Sequence, residues 1–120
     1  MARGNMIAKQ AARNVVAWKQ RYQETGDVDF LYAVKGSVEC LVMRAEKQKM
    51  AQGLLDTLVS RGVIRGYNID PFDGDPYGVN LTPREVTLFN LDPKTVNWNA
   101  LKADKERLRA IHNPSGSLAG

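Results

Sequence analysis

The residues best placed by type to do chemistry are the acids of the stretch Asp70 to Asn80, where Asp70, Asp73 and Asp75 fall within six positions beside Gly74. Hard cations such as calcium take several converging oxygens, and clustered Asp at a Gly bend can supply them. The spacing is not that of a twelve-residue calcium loop, and Pro71 and Pro76 stiffen the segment, so these acids read as a solvated turn. His112 is the sole histidine and has no Cys, His or Glu cluster around it in sequence. Its position near a helix end suits a cation at the negative pole of the helix dipole. Cys40 is the single cysteine and stands among Leu41, Val42 and Met43, as a buried inert thiol does. No glycine-rich phosphate loop and no nucleophile-base-acid signature accompanies them. The reading is therefore of a non-enzymatic chain with no catalytic, cofactor-binding or metal site.

Composition sets the bounds. A chain of 120 residues with 43% hydrophobic and 25% charged side chains is one small globular domain. The domain is read as residues 1–113, followed by a polar tail over 114–120. Seventeen basic against thirteen acidic residues give +4 and an isoelectric point near 9.4, which keeps nucleic acid or an acidic partner open. One cysteine excludes an internal disulfide and points to a reducing compartment or a particle built in one. No apolar run is long enough for a membrane span, and no apolar core follows the basic start as in a secretory signal. An acid-free, Arg-bearing start also fits an organelle transit peptide. The expected location is a virion or the cytoplasm.

The elements that would position these residues follow from periodicity. Ile7, Ala11, Val15, Trp18 and Tyr22 recur at helical spacing and predict an amphipathic helix that stops near Thr25, with Gly26 as its cap. Trp18 and Tyr22 lie on its apolar stripe and read as core rather than as base-stacking rings. Val28 to Met43 fits either a helix, through Phe30, Val34, Val38, Leu41 and Ala45, or a hairpin turning at Lys35-Gly36. The β-branched and aromatic content, and the roughly 1 kcal/mol that glycine costs inside a helix, favour the hairpin. Ala45 to Arg61 is a helix closed by Gly62. Val63 to Ile69 and Val86 to Leu91 read as strands of a second hairpin around the acidic loop. Asp92-Pro93 signals a helix start, and a last helix runs to about Ile111. The expected fold is α+β: an N-terminal helix, a hairpin, a central helix, a second hairpin with a long acidic loop, and a C-terminal helix.

Two resemblances fall on the central segment. LLDTLVSRGVIRGYNID, PFDGDPYGVN, VTLFNLDP and VNWNAL, within Leu54 to Leu101, resemble the C-terminal domain of sheath proteins of contractile phage tails. That resemblance implies structural work in rings or helical stacks. LLDTLVSRG, VIRGYNI, DPFDGD and VNLTPRE also resemble the recognition-helix end and wing of MarR-type winged-helix regulators. That second resemblance implies Lys47, Lys49 and Gln52 toward a DNA major groove and Arg65 near the wing. The acidic loop has the wrong sign for a wing that touches phosphate. The assembly reading therefore stands first: a structural component of a multisubunit particle of phage-like virion or tail type, with copies of itself or other structural subunits as partners. The basic start and acidic loop suit a head-to-tail contact of Arg3, Lys9 and Arg13 on one copy with Asp70, Asp73 and Asp75 on the next.

Overall fold

The computed structural model describes residues 2–69 and 81–112. Three helices make its body: α1 (Ala2–Thr25), α2 (Val28–Ala45) and α3 (Lys49–Ser60), each packed against the other two. A short helix α4 (Pro83–Leu88), a 3-10 turn (Pro93–Thr95) and α5 (Trp98–His112) follow. Among the described residues there is no strand. The fold is all-helical, which overturns the α+β expectation.

The first correction is α2. Val28 to Met43 is one continuous helix, begun by Asp27, whose carboxylate accepts the Asp29 N–H at 3.0 Å. Leu31, Val34, Val38 and Leu41 are fully buried on one face. Burying a side chain of this size is worth about 1.5–3 kcal/mol, and four of them far outweigh the cost of Gly36. The turn Glu46–Gln48 divides it from α3.

Glycines end the first and third helices. Gly26 takes φ 73° and donates to Tyr22 O at 2.7 Å. Gly62 takes φ 74°, and the pair Val63 N–Leu58 O and Gly62 N–Val59 O closes α3 in a Schellman motif.

The second correction concerns the second hairpin. Val63 to Ile69 is an irregular segment with bends at Val63 and Arg65 and no strand, and its Ile64 and Ile69 are buried in the core. Val86 to Leu91 is not a strand either. It holds the end of α4 and its cap, because Thr82, Pro83 and Glu85 start a helix there. The Thr82 hydroxyl accepts the Glu85 N–H at 3.2 Å, and Glu85 Oε1 accepts the Thr82 N–H at 3.0 Å, a complete capping box. Val86 and Phe89 then fall into the core, both fully buried. The helix ends in a second Schellman motif, with Asn90 at φ 59°, Asn90 N–Thr87 O at 2.9 Å and Leu91 N–Val86 O at 3.2 Å.

The two Schellman ends are clasped to each other. Asn90 Nδ2 donates to Gly62 O at 2.8 Å, Arg65 N donates to Leu88 O at 2.6 Å, and Arg65 Nε donates to Asn90 Oδ1 at 3.1 Å. Asp92 and Pro93 open the 3-10 turn, and α5 begins only at Trp98, whose indole N–H returns to Pro93 O at 2.9 Å. α5 is tied to the body through buried Leu101 and through the Tyr32 hydroxyl, which donates to Leu101 O at 3.4 Å.

Asn90 thus does two jobs, a left-handed backbone position and a side-chain clasp. Asn90→Ala is expected to destabilise the chain by about 1–2 kcal/mol, since alanine is strained there and both side-chain bonds are lost. Urea unfolding of the two proteins measures it, and an unchanged midpoint would contradict the clasp.

Candidate functional site

The residues singled out from the sequence do not gather at one place. Lys9 and Arg13 are exposed on the outer face of α1. Arg3 lies in the first turns of the same helix, its side chain outside the described residues, and Asp70, Asp73 and Asp75 fall outside the described residues altogether. The acidic half of the expected head-to-tail contact is therefore not among the described residues. Lys47 and Lys49 are exposed around the start of α3. Gln52 is half-buried and engaged within the chain: its Nε2 donates to Asp56 Oδ1 at 3.1 Å and to the Tyr67 hydroxyl at 2.5 Å, and that hydroxyl donates to Asp56 at 3.0 Å. Arg65 is occupied by the Asn90 clasp. Trp18 is half-buried and stacks on Phe30 with ring centroids 5.6 Å apart, and the Arg21 guanidinium lies over the same Phe30 ring. Cys40 is half-buried on α2, and His112 is the last residue of α5.

The most demanding electrostatics lie where sequence reasoning did not look. Lys35 and Glu85 are 3% and 2% exposed, and they meet as an ion pair 50 residues apart in sequence. Lys35 Nζ stands 3.2 Å from Glu85 Oε1 and 3.0 Å from Oε2. The Oε1 contact is a hydrogen bond, whereas Oε2 is held by charge alone without hydrogen-bond alignment. Oε1 also accepts the N–H and hydroxyl of Thr82, so one carboxylate both caps α4 and neutralises α2. The signal that could have found it is Thr82-Pro-Arg-Glu85 before an apolar pair, the mark of a capped helix start.

Glu39, one turn along α2 from Lys35, senses the same pair. Burial holds its carboxyl above the usual range, Lys35 pulls it back and the Glu85 charge pushes it further up. On the other side of the body the Lys19 stem is buried while its ammonium donates to Val63 O at 2.7 Å. Burial lowers the pKa of that ammonium.

The surface feature of note runs along α2. Two adjoining depressions of about 410 and 670 Å³ share Gly36 and Cys40 and form one trough, bordered on the α1 side by Ile7, Ala11 and Trp18 and toward α3 by Met43. Met6, Ile7, Val16 and Met43 are large apolar side chains left exposed, Met43 by 53%. Such a surface can dock another chain, and its side chains offer packing rather than bond-making chemistry.

No family model, curated protein or solved structure matches the chain. Among the described residues no helix is long and apolar enough to cross a membrane.

Breaking a buried ion pair from one side strands a charge, at a cost of about 3–5 kcal/mol, whereas replacing both partners by apolar residues is often nearly neutral. Lys35→Met is therefore expected to destabilise the chain by that amount, and Lys35→Met with Glu85→Leu to recover most of the Lys35 part while still lacking the α4 cap. Equal losses in the single and double variants, read by denaturant melts, would contradict the coupling.

Glu39 gives a pH-dependent counterpart. Its folded pKa lies above the unfolded value, so the folded chain binds the proton more tightly and loses relative stability as pH rises from the ordinary carboxylate range through the raised value. Glu39→Gln is expected to raise Tm at neutral pH, and the gain should shrink as pH falls below that range. A gain that does not change with pH would refute the burial of this charge.

Proposed function

We propose that this protein is a non-enzymatic structural component that works by assembly into a multisubunit particle. The observation that carries the reading is the pair of large apolar side chains left exposed at one trough between the two longest helices, Ile7 on α1 and Met43 on α2. Soluble monomers scatter such side chains singly, whereas a groove with apolar walls is what a docking partner fills. The interior charges do structural work in this reading: Lys35 and Glu85 lock α4 onto α2, and Lys19 holds the segment after α3. The exposed Lys9 and Arg13 on α1 supply a basic face for an acidic neighbour, whether another subunit or the acidic loop of the next copy. A phage-like virion or tail is the particle that the resemblance over Leu54 to Leu101 supports.

Analytical ultracentrifugation from a few to about 200 µM, at low and high salt, tests the proposal in the affinity range where subunits of this size associate. Self-association is expected, with the part carried by the basic face weakening as salt rises. A strict monomer at every concentration, unchanged by salt, would overturn assembly through copies of itself. A gel shift on random duplex tests the regulator reading in the same buffers. Binding that falls steeply with salt, and is lost in Lys47→Ala with Lys49→Ala, would replace the assembly reading with a DNA-binding one.

A further inference from the structure

Near the end of α1 a cleft of about 300 Å³ opens against the end of α3, lined by Lys19, Gln20 and Gln23 on one side and by Arg61 and Val63 on the other. No acidic residue lines it. Lys19 is 8% exposed, and its ammonium gives one of its three N–H groups to Val63 O at 2.7 Å. Arg61, the cap residue of α3, is exposed, and its guanidinium has no hydrogen bond or ion pair among the described residues. The carboxamides of Gln20 and Gln23 are exposed beside them, also without a partner there.

A buried ammonium costs desolvation energy that a counter-charge normally offsets. Lys35 shows the usual solution, since Glu85 meets it in the core. Lys19 has a carbonyl instead, and it shares its cleft with a second cation. Burial lowers its pKa, and no described carboxylate acts against that. The cleft thus holds two positive charges and, among the described residues, nothing to balance them. The dipole of α3 works the other way, placing about half a negative charge at this end. Two full charges outweigh it, and the Schellman bonds already occupy the Leu58 and Val59 carbonyls.

We infer that this cleft binds a terminal phosphate group, as free phosphate or as the end of a small phosphomonoester, between Lys19 and Arg61. Charge and donor count choose that class. A terminal phosphate carries roughly −1.5 to −2 charges at neutral pH and three acceptor oxygens, which matches two cations and two carboxamides. A carboxylate brings one charge and two oxygens, and a nucleic-acid phosphodiester likewise one charge. The Arg61 fork suits two oxygens at once, while Lys19 supplies a point charge. A cleft of this volume is at the small end for a ligand site, as such a group requires. All the residues come from one copy, so the site does not depend on the assembly reading. Occupied, it ties α1 to the end of α3, and the folded chain gains stability as phosphate concentration rises.

Arg61→Ala tests the site without threatening the fold, because the side chain it removes is exposed and has no partner among the described residues. Amide NMR spectra are recorded as inorganic phosphate replaces chloride at constant ionic strength and neutral pH. The backbone amides of Gly62 and Val63 and the side-chain amides of Gln20 and Gln23 are expected to shift together and to saturate, with a dissociation constant of about 1 mM. Arg61→Ala should weaken that binding at least about tenfold. Lys47→Ala, which removes an exposed cation at the opposite end of α3, should leave it unchanged. In thermal melts the wild-type Tm should rise with phosphate by more than that of Arg61→Ala, a difference that general salt effects cannot produce. Glycerol phosphate separates the two sources: tighter binding than inorganic phosphate assigns a phosphomonoester, and weaker binding the free ion. Shifts that do not saturate, or that persist equally in Arg61→Ala, would overturn the site. So would an oligonucleotide without terminal phosphates that binds more tightly than phosphate and depends on Arg61, which would give the cleft to a nucleic-acid backbone.

Discussion

The ammonium of Lys35 and the carboxylate of Glu85 hold the second half of the chain to the first. α4 has six residues, far short of what a helix needs to persist alone in water. It exists because Thr82 and Glu85 cap each other, because Val86 and Phe89 fill the core, and because Glu85 finds its counter-ion on α2. The same oxygen, Oε1, serves cap and ion pair, so loss of the Glu85 carboxylate removes both at once. An apolar pair could fill this volume at similar stability. What the charges add is register, since a carboxylate displaced by one turn would bury two unpaired ions.

From that lock the remaining geometry follows in steps. With α4 fixed over the middle of α2, Asn90 reaches Gly62 and Leu88 O reaches Arg65 N, which ties the end of α3 to the end of α4. The irregular segment Val63 to Ile69 then needs no sheet partner. Lys19 and Leu88 take carbonyl and amide groups at Val63 and Arg65, and the Arg84 guanidinium donates to Asn68 O at 2.9 Å. Gly66 allows Leu88 to pack close by, since a Cβ there would stand 3.3 Å from a Leu88 methyl. Backbone groups that a sheet would have satisfied are met by side chains and helix ends.

Helix ends were the legible part of the sequence, and helix starts and partners the illegible part. Gly26 and Gly62 marked their caps because positive φ is cheap only for glycine. Asn90 makes the same kind of stop, yet in a run of Val86, Leu88 and Phe89 the alternation of a strand was the louder pattern. Periodicity over six residues cannot separate a short capped helix from a strand, and the capping pair Thr82 and Glu85 was the deciding evidence. In α2 the β-branched content pointed to strands, but those residues stand at positions 28, 34 and 38 around one core face, where tertiary burial overrides propensity. Lys35 was not legible at all. A lysine on an apolar helix face reads as solvent-facing until its partner 50 residues away is known. Of the candidate contact residues, Lys9 and Arg13 are exposed on the first helix, whereas the sequence is silent on the trough, because small residues carry no signal except their neighbours' geometry.

The contrast between the helices bears on what the surface is for. The outer face of α1 carries Lys9, Arg13, Gln20 and Arg21, and that of α3 carries Asp56, Thr57 and Ser60, the polar cover expected of helices that meet water. α2 lacks such a cover across its centre, where Ala33, Gly36, Ser37 and Cys40 succeed one another between charged ends. A helix with an apolar core face and a small outer face leaves room for a close neighbour, which the proposed assembly would supply. In the isolated chain α2 has α1 and α3 on one side and solvent on the other. α2 packs against both α1 and α3 and carries Lys35, the counter-ion of Glu85. A helix face of Ala, Gly, Ser and Cys has few rotamers to surrender, so the assembly proposed above would lose little conformational entropy by docking there.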